Sequence, residues 1–148
     1  MNQADGDVAA VERQAGGDLV LSLIWAAHSV QEELEQALQR HSLSIAKLNV
    51  LSRLAEAGEP LSLSELASRL NCVRSNVTQL VDRLEAEGLV RREADPSDRR
   101  SIRAVLTPAG RARQRVGVQE LEGAESRVAG LLARCDREAL GRALEALR

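Results

Sequence analysis

Between residues 99 and 115 the chain places six arginines and no acidic residue, directly after the turn-like stretch ADPSD. Guanidinium groups at such density have one chemistry to offer. They bind anions, forking onto phosphate or carboxylate oxygens and onto the edges of bases. The cluster stands against a formal net charge of −2. Residues 1–73 hold 5 basic and 10 acidic groups, residues 74–115 hold 10 and 6, and residues 116–148 hold 5 and 6. Positive charge therefore gathers in the middle of the chain, and all but one of the basic residues are arginine. A local basic segment in an otherwise acidic protein marks a surface that meets a polyanion. The plain alternative is a solvated charged face.

A second set of residues precedes the arginines. In CVRSNVTQLVDRL, residues 72–84, a helix that buries Val77, Leu80, Val81 and Leu84 turns Ser75, Gln79 and Asp82 outward, flanked by Asn76, Thr78 and Arg83. In the major groove of DNA an arginine pairs with guanine and an asparagine or glutamine with adenine through bidentate bonds. Arg74, Ser75, Asn76, Thr78 and Gln79 are therefore expected to contact bases or phosphates. Asp82 is repelled by phosphate and is expected at the groove edge or paired with an arginine.

Composition removes other chemistries. Phe and Tyr are absent and Trp25 is the only aromatic residue, so the stacking platforms of single-strand and RNA binders are missing. There is no GxSxG, no HExxH, no phosphate-binding glycine loop and no Cys/His ligand cluster, so neither an enzyme nor a metal or cofactor site is expected. No apolar window is long enough for a membrane span, and the start of the chain lacks the regions of a signal peptide. Two cysteines suit a reducing compartment, and a cytoplasmic location is expected. Cys72 falls at an apolar position of the helical pattern, where a buried thiol is inert. Trp25, His28 and His41 could line a small-molecule pocket, although an amphipathic core tryptophan with a satisfied histidine is the simpler reading.

These residues must be held by a mainly helical frame. Asp18 can cap a first helix after Gly16-Gly17, with Val20, Ile24, Ala27, Val30, Leu34 and Leu38 at helical spacing. Ser44 opens a second helix ended by Gly58 and Pro60. Ser62 and Glu65 have the spacing of a capping box. Ala67 and Asn71 provide the small contact residue and the left-handed bend of a tight turn between two steeply crossing helices. With Leu66, Leu70, Cys72, Val77 and Leu80 as shared core, this reads as a helix-turn-helix. LVRRE and SIRAVL flank the loop DPSDRR as a β-hairpin. Thr107 and Pro108 start a long fifth helix and Asp136 caps a short sixth.

With the helices on either side, the stretch TQLVDRLEAEGLVRREADPSDRRSIRAVLTPAGR resembles the winged helix-turn-helix of the MarR family of bacterial transcription regulators, most densely at DRLEAEGLV, DPSDRR and LTPAGR. The resemblance implies a mainly α fold with a small β-wing. It implies an obligate homodimer that lays a recognition helix in the major groove and the wing in the adjacent minor groove. On the matching positions Arg100 would be the wing-tip arginine and Asp98 the acid that orients it, with Arg99, Arg91, Arg92 and Arg103 neutralising the backbone. It also implies a small effector, commonly phenolic or anionic. The chain departs from the family pattern at Asn71 for a usual glycine, Val73 for a frequent serine and Gln79 for a frequent arginine.

The organisation expected is an acidic, flexible tail over residues 1–17, a helical dimerisation region over 18–42 and 108–148, and the winged helix-turn-helix over 43–107. The function expected is a homodimeric, sequence-specific, double-stranded DNA-binding regulator, a repressor of a palindromic operator relieved by a small molecule. A winged-helix interaction module or a non-specific DNA-coating protein is the alternative.

Overall fold

The computed structural model describes residues 3–96 and 101–147, with side chains from residue 18 onward. The chain divides into two compact units, Met1–Glu33 and Leu34–Arg148. Helices α1 (Gln3–Gln39), α2 (Ile45–Ala57), α3 (Leu63–Arg69), α4 (Arg74–Ala86), α5 (Pro108–Leu131) and α6 (Arg137–Glu145) are joined by strands β1 (Leu61–Ser62), β2 (Val90–Ala94) and β3 (Ile102–Leu106) and a 3₁₀ turn at Leu132–Arg134.

The first unit is helical. Helix α1 begins at Gln3 and runs through Gly16, Gly17 and Asp18, which corrects the sequence expectation of a helix start capped by Asp18. A glycine costs about 1 kcal/mol relative to alanine inside a helix, too little to end the helix at this pair. Within this unit Leu19, Val20, Leu21, Leu23, Ile24, Trp25 and Val30 are all exposed.

The second unit is built around one aliphatic core. Leu38, Leu48, Val50, Leu51, Leu54, Leu66, Val77, Val81, Leu84 and Leu89 are buried together. Ser44 caps α2, accepting from the Lys47 backbone N–H at 3.2 Å, and Gly58 ends it at φ 68°. The capping box forms at α3: Ser62 Oγ accepts from the Glu65 N–H at 3.2 Å and Glu65 Oε2 from the Ser62 N–H at 2.8 Å. Thr107 Oγ1 caps α5 with Pro108 in its first turn, and Asp136 Oδ1 caps α6.

The sheet has the order β1-β3-β2 and is antiparallel throughout. The hairpin pairs Val90 with Leu106 and Ala94 with Ile102, and the short β1 adds Leu61 opposite Ala104. This third strand is too short to leave a period-two signal in the sequence. Helix α5 packs on α2 through Gly117, whose missing side chain admits the methyl groups of Leu43 and Leu48. Arg113 Nη1 donates to the His41 carbonyl at 2.6 Å and Gln114 to Ser52 at 3.3 Å. Towards the C-terminal end Leu131, Leu132, Leu144 and Leu147 are exposed.

Candidate nucleic-acid interface

Helix α3 and helix α4 are separated by four residues, and the bend is made by Asn71 at φ 50°. Asparagine tolerates this left-handed backbone better than other side-chain-bearing residues. The turn is tied back by the Cys72 N–H, which donates to the Ala67 carbonyl at 3.0 Å. Cys72 itself is exposed, which corrects its expected place in the shared core. The reversal at Asn71 ends the register of α3, so the helical spacing that would carry residue 72 inward no longer applies. Leu66 and Val77 are buried as expected, while Leu70 and Leu80 are half-buried.

Val73 is the N-cap residue of α4 and makes no side-chain cap. It is 64 % exposed. Beyond it Val77, Val81 and Leu84 are fully buried, and this anchors one face of the helix. The opposite face of the first turns carries Arg74, Ser75, Asn76 and Gln79, all exposed, with Thr78 half-exposed. Thr78 Oγ1 donates to the Arg74 carbonyl at 2.9 Å, which leaves its lone pairs able to accept. The structure thus brings all five of these residues to one solvent-facing, hydrogen-bonding surface.

The hairpin emerges beside this helix. At its neck Asp95, 7 % exposed, is the one buried charged residue among those described. Its Oδ2 accepts from Arg103 Nε at 2.6 Å, and its backbone N–H donates to the Ser101 carbonyl at 2.9 Å. Asp98, Arg99 and Arg100 lie outside the described residues.

The other hairpin arginines are engaged within the protein. Arg91 pairs with Glu93 and Arg103 with Asp95. Arg92 reaches α4, with Nη2 2.7 Å from Asp82 Oδ1 and Nη1 2.7 Å from Glu85 Oε2. Partial burial works against the Arg92 charge, but hydrogen bonds to Asp82 and Glu85 outweigh it and hold the guanidinium above the usual arginine value. Asp82 is therefore found paired with an arginine. The resemblance implies that Arg91, Arg92 and Arg103 neutralise the DNA backbone, whereas within the protein each is paired with a carboxylate. The three-residue spacing of Asp82 and Glu85 marks an acidic helix face in the sequence, but which arginine meets it is set by how β2 lies against α4.

Of the candidate pocket residues, Trp25 is 68 % exposed on the first unit. There His28 Nε2 lies 3.3 Å from Glu32. In the second unit His41 Nε2 lies 3.2 Å from Glu120. Two clefts among the described residues lie elsewhere. One, open and shallow, is lined by Leu132, Arg137, Leu140 and Leu144. The other is lined by Leu54, Pro60, Val105 and Arg111. No described helix is long and apolar enough to cross a membrane.

A tight helical pair with an exposed polar second helix, followed by an antiparallel hairpin and a long helix, defines a winged helix-turn-helix. The MarR family model matches residues 43–102. The repressor MdtR of Bacillus subtilis is 35 % identical over 97 residues, 66 % of this chain and 62 % of MdtR. CouR solved as a repressor bound to a 23-mer DNA duplex superposes with a TM-score of 0.72 at 32 % identity, covering 85 % of this chain and 89 % of that one. CouR from Rhodococcus jostii RHA1 bound to p-coumaroyl-CoA superposes with a TM-score of 0.67 at 25 % identity, covering 88 % and 89 %. The matched stretch spans about half to three fifths of the length of the curated relatives. The chain belongs to the MarR family, whose members are transcription regulators and not enzymes.

Proposed function

We propose that the protein is a cytoplasmic, homodimeric regulator that binds a palindromic site on double-stranded DNA, represses from it, and is released by a small effector. The observation that carries this is α4: one face is locked into the core by Val77, Val81 and Leu84 while Arg74, Ser75, Asn76, Thr78 and Gln79 face solvent. Their side chains offer the donors and acceptors that match base edges in the major groove. In this reading Asp98, Arg99 and Arg100 form the wing tip, with Arg100 in the minor groove, where narrowing deepens the negative potential.

Dimerisation is supported by the exposed apolar residues of α1 from Leu19 to Trp25 and by Leu131, Leu132, Leu144 and Leu147 near the C-terminus. A soluble helix apolar on several faces needs a partner to cover it. A two-fold dimer then sets its recognition helices roughly 34–36 Å apart, one turn of duplex. Repression is supported by the name of MdtR, and DNA and effector binding by the two CouR complexes. Trp25, His28 and His41 are the candidate effector contacts, and a phenolic or anionic compound is the class to try.

Selection of bound sequences from a random duplex pool tests the reading. A two-fold symmetric consensus with half-sites one helical turn apart is expected. Recovery of no consensus, with equal affinity for selected and random duplexes, would favour a DNA-coating protein instead.

A further inference from the structure

We propose that Arg92 is a positioning residue, which clamps the wing to the recognition helix through Asp82 and Glu85 and thereby sets the angle at which the two enter DNA. The proposal rests on the DNA-binding reading above.

The contact is a closed clamp. Each terminal nitrogen of the guanidinium meets a different carboxylate, Asp82 and Glu85, at 2.7 Å. The two acids sit three residues apart on α4, so they share a face. Glu85 Oε1 also accepts the Arg92 backbone N–H at 2.9 Å. Glu85 therefore holds both the main chain and the side chain of one β2 residue. β2 is an edge strand, and its outward N–H at Arg92 is thus satisfied by the recognition helix and not by another strand. The Arg92 side chain is 22 % exposed, with both terminal nitrogens engaged by the protein.

The clamp acts beyond a short connection that is anchored only at its base, where Thr107 Oγ1 donates to the Gly88 carbonyl at 2.8 Å and the Thr107 N–H to the Leu89 carbonyl at 3.1 Å. Only Glu87, Gly88 and Leu89 lie between α4 and β2, and Gly88 has φ 71°. A five-residue strand is roughly 17 Å long, so a tilt of about 10° about that base moves the far end of the hairpin by roughly 3 Å. Recognition requires side chains held to within about 0.5 Å of their productive places. A lysine carries the charge but not the planar, pre-organised fork, so it holds the two acids and β2 less firmly.

The test uses full-length protein, the duplex recovered by selection, and a random duplex. Arg92→Lys is expected to weaken binding to the selected duplex by about tenfold or more. Its affinity for random duplex and the slope of log affinity against log salt should stay as in the wild type. In the free protein, residue-resolved amide exchange should quicken at Arg92 and along β2 in Arg92→Gln while α2 and α3 stay protected. A salt slope smaller by about 0.9, with both duplexes weakened alike, would make Arg92 a phosphate contact and overturn the proposal. So would wild-type affinity of Arg92→Lys for the selected duplex. A wild-type protein that does not distinguish the duplexes overturns the regulator reading itself. The exchange measurement needs no DNA, and unchanged exchange in Arg92→Gln defeats the clamp whatever the duplexes show.

Discussion

Gly110 lies so close beneath Leu89 that a Cβ placed on it would stand 1.9 Å from the Leu89 carbonyl oxygen and 2.8 Å from Leu106 Cδ1. The first turn of α5 is thus seated directly on the backbone at the start of the wing. The same carbonyl accepts the Thr107 N–H at 3.1 Å. A main-chain obstacle cannot rotate aside as a side chain can. Gly110→Ala should therefore destabilise by about 3 kcal/mol or more, whereas Gly117→Ala, which meets only the mobile ends of Leu43 and Leu48, should lose about 1–2 kcal/mol. Urea midpoints of the two variants decide it, and equal losses would mean that the Leu89 contact is not rigid.

Val73 leaves the recognition helix without a side-chain cap although its backbone, φ −70° and ψ 143°, already has the extended geometry of an N-cap. A hydroxyl there can accept from a free N–H of the first turn. Val73→Ser is expected to raise stability by about 1 kcal/mol, read as a higher urea midpoint with an unchanged slope. No gain would show that those N–H groups already have adequate partners.

Most of this fold is legible in the sequence wherever a local rule suffices. Ser44, Ser62 with Glu65, Thr107 with Pro108 and Asp136 all cap the helices expected of them, because a cap is a contact across three residues. Asn71 and Gly88 bend where expected for the same reason. The departures are tertiary. The sequence shows that Arg92 is basic but not that it is already paired, since its partners depend on how β2 lies against α4. Cys72 reads as core only if a helical register continues through a bend that ends it. The Gly16-Gly17 pair reads as a boundary, yet α1 passes through it.

The capping box carries a titration. Hydrogen bonds with Ser62, from its side chain and its backbone, hold the Glu65 carboxyl below the usual carboxylate range, with weaker help from Arg103 and Arg69. A folded-state pKa lower than the unfolded one adds stability that is complete above the unfolded value and disappears as pH falls through the folded value. Glu65→Gln should therefore be less stable than the wild type at neutral pH, with the gap closing in acid. Chemical denaturation across a pH series follows the gap. A gap that persists below the carboxylate range would show that Glu65 acts through packing and not through its charge.

Trp25 can report on the proposed dimer, since the chain has no other tryptophan and no tyrosine or phenylalanine. It is exposed in a single chain, so a dimer that covers α1 should shift its emission to the blue. Ile24→Glu, beside it and exposed, buries a charge in that interface and should give a folded monomer with red-shifted emission and unchanged melting of the 43–107 region. A monomeric wild type at micromolar concentration, by sedimentation, would remove the two-fold frame.

The two halves of the DNA surface should fail differently. If Arg100 enters the minor groove as proposed, it adds electrostatic attraction that hardly depends on the bases it passes, so Arg100→Ala should weaken most duplexes at low salt and flatten the salt dependence by about one phosphate contact. Asn76 and Gln79 face solvent on α4, where a paired bond to a base edge discriminates by about 1–3 kcal/mol at one position. Asn76→Ala and Gln79→Ala should therefore lose preference at particular positions of the selected site and leave the salt slope alone. Competition binding against a panel of single-base variants separates the two patterns. If all three substitutions only lowered affinity uniformly, sequence reading would have to lie elsewhere on the protein, and the exposed face of α4 would be reduced to another phosphate contact.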